Sequence, residues 1–334
     1  VAIAPETIPR FTADDALEAA FTRYGLSGGA APLPSERDQN FLIADPRRGK
    51  FVLKIANRDD SAELLDFQHE GLRRVAARGC GIEVPRVVPS LAGADVETLT
   101  SRAGAEHRLR VLSWIDGSAL AERTPRSDAL LESIGASMAQ VDGALAEFSH
   151  PGMNRVLQWD LRHAGIARAH APLLPEAWRG LVERAFVRWE QLDWTSLRTG
   201  VIHGDANDHN VLAAPHRMTG LLDFGDMVHS AIVCDLAVAL AYAMLGERDP
   251  LAAAGAVIRG YHRRNPLTPA EQLALDVLVR ARLAASLCYA AHNRIRAPDD
   301  PYQVVSEAGV RALFERLEAY PPGAAQDMVR AACR

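Results

Sequence analysis

Asp205 and Asn210 are separated by four residues, and a second carboxylate, Asp223, opens an Asp-Phe-Gly turn farther along the chain. A carboxylate and an amide at this spacing, followed by another carboxylate, are suited to phosphoryl transfer. A nucleoside triphosphate brings its own reactive bond. The protein then has to place a hydroxyl in line with that bond and neutralise phosphate charge with metal ions. In that template Asp205 accepts the hydroxyl proton, and Asn210 and Asp223 hold Mg²⁺. The plain alternative is three polar residues in surface turns, since Asn, Asp and Gly are common turn formers. Both halves occur in order, each beside an apolar run, which disfavours that alternative. Val201-Ile202, Val211-Leu212 and Gly220-Leu221-Leu222 read as short buried strands that present these groups at their ends.

His203-Gly204-Asp205, with Asn210 and Asp223-Phe224-Gly225, resembles the aminoglycoside phosphotransferase and choline kinase group of small-molecule kinases, in which His-Gly-Asp stands where protein kinases have His-Arg-Asp. Within that group, the run Ser35-Glu36-Arg37-Asp38-Gln39-Asn40-Phe41 and the run Asp223 to Met227 are most similar to the hydroxylysine kinase-like branch. The resemblance extends from about Phe11 to about Glu318. It implies an α+β, protein-kinase-like, two-lobed fold: an N-lobe with a small antiparallel sheet, residues 1–113, and a larger helical C-lobe, residues 114–334. It also implies Mg²⁺ as cofactor and ATP or GTP as phosphoryl donor.

The elements that must position these groups follow from pattern. Thr12 caps a helix whose early acids, Asp14 and Asp15, suit its positive end, and Gly25 ends it. Lys50 to Ile55 alternates like a half-buried strand and carries Lys54 between Leu53 and Ile55. In protein kinases a lysine on such a strand binds phosphate, and a glutamate on the next helix fixes it. Glu70, on a helix expected over residues 62–77, is the matching glutamate. The turn from Ser35 to Asn40 contains no glycine, so bare backbone cannot approach phosphates there. Polar side chains such as Ser35, Arg37 and Asn40 are expected to contribute instead, and the competing reading is a polar hairpin turn. Ser113-Trp114 falls at the hinge the resemblance implies, where backbone groups meet the purine; core packing is the common fate of a lone Trp. Helices are expected over 129–148, 175–192, 235–245, 268–297 and 304–320, with Pro298 and Pro301 between the last two. Asp235 sits in apolar company and therefore needs a partner; it is expected to support the catalytic loop by hydrogen bonding.

Composition narrows the class. With 48% hydrophobic residues over 334 positions, the chain can build a sizeable core. A net charge of −5 gives no nucleic-acid-binding surface. Cys80, Cys234, Cys288 and Cys333 form no Cys-x-x-Cys, so neither a zinc site nor a disulfide framework is indicated, and a reducing cytoplasm is expected. The longest apolar run, 231–245, contains Asp235 and is too short to span a bilayer, so no membrane partner is expected. The first residue is not methionine, which keeps open a third reading, one domain of a longer multienzyme chain.

The acceptor is constrained by what is missing. Gly225 is followed by eight residues before Cys234, where a protein kinase needs a long segment to hold a polypeptide. Gly204 replaces the arginine on which phosphorylated activation loops dock. Both point to a small acceptor, and the resemblance implies an amino alcohol or hydroxy amino acid. Asp205, Asp208 and Asp226 make an acidic mouth suited to an ammonium, with His203 in support. Arg162, Arg282 and Arg294 are candidates for an acceptor carboxylate by location, and each singly is more often a structural salt bridge. The alternatives are an aminoglycoside, choline-type or homoserine-type kinase, or a nucleotide-binding pseudokinase. Intact Lys54, Glu70, Asp205, Asn210 and Asp223 count against the last.

Overall fold

A computed structural model describes residues 7–35, 37–296, 298 and 305–334. Glu36 of the Ser35–Phe41 run and Pro301 lie outside the described residues. Contacts divide the chain into two compact units: one holds the residues up to 77, 84–116 and 150–152, the other 78–83, 117–149 and 153–334.

The first unit is built on an antiparallel sheet. Its strands are β1 (Gly29–Leu33), β2 (Gln39–Asp45), β3 (Gly49–Ile55), β4 (Val87–Val88), β5 (Glu97–Thr100) and β6 (Glu106–Ser113), in the order β1-β2-β3-β6-β4 with β5 also on β6. Helix α1 (Ala13–Tyr24) opens with a reciprocal capping box between Thr12 and Asp15 and ends at Gly25, whose φ of 64° is left-handed. Side chains alternate across a strand. Phe41, Ile43, Phe51, Leu53, Ile55, Leu109 and Val111 therefore share one face, where they join Ala16, Ala20 and Tyr24 of α1 in one buried cluster. The residues between them must face the other way. Asn40, Lys54 and Arg110 are direct cross-strand neighbours on that opposite face, and all three are buried. Beside them runs an apolar row, Leu42, Val52 and Leu112. Helix α2 (Ala62–Arg78) serves this polar face: Arg110 Nη2 donates to Gln68 Oε1 at 2.9 Å.

The second unit is largely helical: α3 (Asp128–Leu145), α4 (Glu176–Glu190), α5 (Val233–Ala243), α6 (Pro250–His262), α7 (Pro269–Arg296), α8 (Glu307–Ala319) and α9 (Ala324–Ala332). A run of 3-10 turns, Leu161–Leu173, begins at Asp160, whose side chain accepts from Arg162 N. Two small sheets carry the loops of interest. β7 (Ser118–Ala119), β9 (Val211–Ala214) and β10 (Arg217–Leu221) form one; β8 (Thr199–Ile202) and β11 (Val228–Ala231) form the other. β11 is a correction to the sequence reading, which ran from Gly225 straight to a helix. The chain instead turns back and pairs antiparallel with β8, Val228 opposite Ile202. α3 and α6 cross at unusually close range. A Cβ on Gly135 would lie 1.9 Å from Val257 O, and one on Gly260 would lie 1.9 Å from Glu132 O. Every residue of α5 is buried, which makes it the central element of this unit. Among the described residues, no helix is long and apolar enough to cross a membrane.

Candidate active site

In the second unit, β8 delivers His203, Gly204 and Asp205, and the loop returns through Asn207 and Asn210 into β9. Gly204 has φ +84°, and a Cβ there would meet Asp226 O at 2.6 Å, so a side chain is excluded on two counts. Asp235, wholly buried on α5, accepts from His203 N at 3.1 Å and from Gly204 N at 2.8 Å. His203 ties the loop to the Asp-Phe-Gly turn. Its Nδ1 accepts from Asp205 N at 3.2 Å, so its Nε2 carries the proton and donates to Leu222 O at 2.9 Å. Phe224 meets the same ring edge-on, with centroids 4.7 Å apart.

The Asp205 carboxylate is held by three donors. Asn207 Nδ2 reaches Oδ2 at 2.8 Å, Asn210 Nδ2 reaches Oδ2 at 2.9 Å, and Arg282 Nη2 reaches Oδ1 at 2.8 Å. Arg282 is itself buried on α7, with its guanidinium carbon 4.5 Å from the Trp159 ring centroid and 5.4 Å from that of Tyr242. Burial pushes the Asp205 carboxyl up to about 8 against the pull of Arg282, and the negative charges of Asp226 and Asp223 add to the rise.

Asp223 is exposed and sits at φ 52°, the left-handed region, a conformation not adopted by any other described non-glycine residue. Its Oδ1 accepts from Gly225 N at 3.1 Å. Arg155 clamps the far side of the turn, donating to Gly225 O at 2.5 Å and to Met227 O at 3.1 Å. Asn210 has its amide nitrogen committed to Asp205, so its Oδ1 is the atom of that side chain that could take a cation. Among the described residues, no three His, Cys, Asp or Glu side chains gather as a self-sufficient metal cage. One amide oxygen and one exposed carboxylate suit Mg²⁺, which keeps water and takes substrate phosphates as further ligands.

The other residues singled out in the sequence fall in several places. Asp208 is buried, and burial raises its carboxyl against the charges of His209 and Arg126; it does not line an open acidic mouth. Arg162 is exposed, and Arg294 is an exposed partner of Glu307 on α8. Of the three arginines considered for an acceptor carboxylate, the one that reaches the catalytic loop is Arg282, and its partner there is Asp205. In the first unit, Lys54 is buried on the polar sheet face, next to Asn40 and Arg110. Glu70 corrects the expected Lys–Glu pair. It lies at a half-buried position of α2 and binds Arg73, at 2.7 Å, which also engages Asp95. Arg37 donates to Asp60 at 2.7 Å. Ser35 precedes β2 on the loop that leads to Asn40. Ser113 Oγ accepts from Arg86 N at 2.9 Å, and Trp114, partly exposed, donates Nε1–H to Asp116 at 3.0 Å.

Asn207 and Arg155 escaped the sequence reading. Asn207 carried a usable signal, a side-chain amide two residues from Asp205. Arg155 reaches the turn across a long separation and left none.

Residues 29–273 match the model of APH, the phosphotransferase enzyme family. A hydroxylysine kinase of Xenopus laevis is 30% identical over 320 residues, which covers 87% of this chain and 85% of that protein. A homoserine kinase of Nitrobacter winogradskyi (strain Nb-255) is 30% identical over 251 residues, covering 73% and 72%. The solved structure of amicoumacin kinase hAmiN, in complex with AMP-PNP, Ca²⁺ and Ami, aligns over 95% of this chain and 97% of its own with a TM-score of 0.73 at 17% identity. The fold is therefore α+β and protein-kinase-like. Family match and relatives place the chain in the APH phosphotransferase enzyme family, as a kinase that phosphorylates an alcohol group of a small molecule.

Proposed function

We propose that the acceptor is a compact hydroxy amino acid or amino alcohol, with hydroxylysine-like molecules ahead of aminoglycosides, and that the donor is Mg²⁺-bound ATP or GTP. The observation that carries this reading is the Asp205 carboxylate, fixed by Asn207, Asn210 and Arg282, with the charges of Asp226 and Asp223 close by. Asp205 orients the acceptor hydroxyl and takes its proton. Asn210 and Asp223 hold the cation, which supplies charge neutralisation for the phosphates. In the first unit, Lys54 and its polar neighbours give phosphate contacts, and the row Leu42, Val52 and Leu112 gives an apolar bed for a purine. Relatives named for hydroxylysine and homoserine support an acceptor that carries both a hydroxyl and an amine. An ammonium gains charge-assisted hydrogen bonds beside Asp205 and Asp226.

A matched acceptor series, assayed with ATP and with GTP, tests the proposal. 5-Hydroxylysine and homoserine should turn over with higher kcat/KM than their deaminated analogues, neutral polyols or aminoglycosides. Equal efficiency for the deaminated compounds would remove the amine from recognition.

A further inference from the structure

Behind the catalytic loop lies a second carboxyl group that the reaction does not touch. Asp142, on α3, is buried at 2% exposure. Its Oδ2 accepts from the Tyr261 hydroxyl of α6 at 2.5 Å. Tyr261 in turn accepts from Asn265 Nδ2 at 3.0 Å, and Asn265 Oδ1 accepts from Arg198 Nη1 at 2.9 Å. The other oxygen of Asp142, Oδ1, is buried and without a hydrogen-bond partner. It belongs to a carboxyl that faces the carboxylate of Asp235.

Two carboxylates face to face, both out of water, have no donor to offer each other, and a single proton turns the clash into a hydrogen bond. The environment decides which group holds it. Asp235 already accepts two backbone N–H bonds, from His203 and Gly204. Asp142 accepts one bond, from a phenol. We propose that Asp142 is a positioning residue that works as the neutral acid, donating its proton from Oδ1 to Asp235, and so fixes the carboxylate that holds the backbone of His203 and Gly204. Burial, and after it the Asp235 charge, raise the Asp142 carboxyl well above the usual carboxylate range, which agrees with this assignment. The groups facing the pair are Tyr261 from α6 and Arg198 from the segment before β8; the guanidinium opposes the rise without removing it.

The chemistry this serves is the alcohol phosphorylation itself, whichever acceptor is used. Asp205 follows Gly204 directly, so the angle at which the base meets a hydroxyl depends on how Asp235 is seated. Asn at position 142 reproduces the neutral acid: its oxygen accepts from Tyr261 and its amide donates to Asp235. Ala does neither.

The test compares Asp142→Asn, Asp142→Ala and Asp235→Asn in the full chain. Asp142→Ala should lose roughly 10- to 100-fold in kcat with ATP and 5-hydroxylysine, the scale of a small misplacement of a reacting group, with little change in KM for ATP. Asp142→Asn should restore most of that loss. Asp235→Asn should not, because an amide cannot accept both N–H bonds. Two readouts need no acceptor. Deuterium exchange in the peptide that contains His203 and Gly204 should rise in Asp142→Ala and return to the wild-type rate in Asp142→Asn. Of the infrared C=O bands of protonated carboxylic acids in the wild type at neutral pH, one should vanish in Asp142→Asn and persist in Asp205→Asn. If Asp142→Asn is as impaired as Asp142→Ala, or does not fold, or if the wild type lacks such a band, the proposal is overturned. Failure of 5-hydroxylysine as a substrate would leave both acceptor-free readouts standing and would bear on the acceptor alone.

Discussion

The bond between Asn210 and Asp205 was legible because it lies in local spacing. Residues a few positions apart on one tight loop keep their geometry wherever the loop is placed. Arg282 is 77 positions from Asp205 and shows no pattern that ties it to a base, yet it makes one of the three bonds to that carboxylate. Sequence offered Arg282 only as one of three candidates for an acceptor carboxylate, with a structural salt bridge the commoner role for any one of them. Two variants separate the roles. Asp205→Asn should reduce kcat by roughly 10²- to 10⁴-fold, the usual contribution of a positioned general base, while Mg²⁺-nucleotide binding persists. Arg282→Met should also reduce kcat, with the Kd for nucleotide again little changed, because its charge bears on the base. Steady-state kinetics together with calorimetric nucleotide titration checks both. A large rise in the KM for an amino-acid acceptor at unchanged kcat would return Arg282 to the acceptor-binding role.

At the scale of elements, most helices were visible from their apolar period and caps, as with Thr12 and Gly25 around α1. β11 was not, because Val-His-Ser-Ala is four residues long and carries no alternation that distinguishes it from a loop. Nor did the sequence disclose which glycines are structural. Gly135 and Gly143 share α3, where Ala is ordinarily about 1 kcal/mol better than Gly in a helix interior. Gly143 has open space around its missing Cβ, whereas Gly135 would drive one into the Val257 carbonyl. Gly143→Ala should therefore raise the urea midpoint slightly. Gly135→Ala should lower it, through a loss of stability of about 1–3 kcal/mol or more if α3 and α6 cannot part. In the first unit, His69 of α2 is buried, and burial, helped by the Arg110 charge, pushes its imidazole down to about 4. A depressed histidine contributes stability that is present above its unfolded value near 6.5 and is lost as pH falls from there toward 4. His69→Leu should accordingly show a smaller loss of stability between pH 7 and pH 5 than the wild type, measured by urea unfolding at the two values.

At the scale of the whole molecule, the order of elements implies a strand-rich stretch followed by a helical one. A single cut in sequence could not show that residues 78–83 belong with the second unit, or 150–152 with the first. Those assignments rest on contacts across long gaps: Glu83 N donates to Thr219 O at 2.8 Å, and His150 Nε2 lies 3.1 Å from Asp66 Oδ2. One consequence follows from α5, which is buried along its entire length and carries Asp235 in its first turn. The residue that seats the catalytic loop is thus mounted on the part of the second unit with the least freedom to open by itself. Fraying of an outer helix leaves that mounting untouched, and freeing it requires the unit to come apart. Heat should therefore switch the enzyme off as a block. Residual activity after graded heating should track the amide protection of α5 rather than any earlier loosening, and a well-folded but inactive thermal intermediate of this unit should not accumulate.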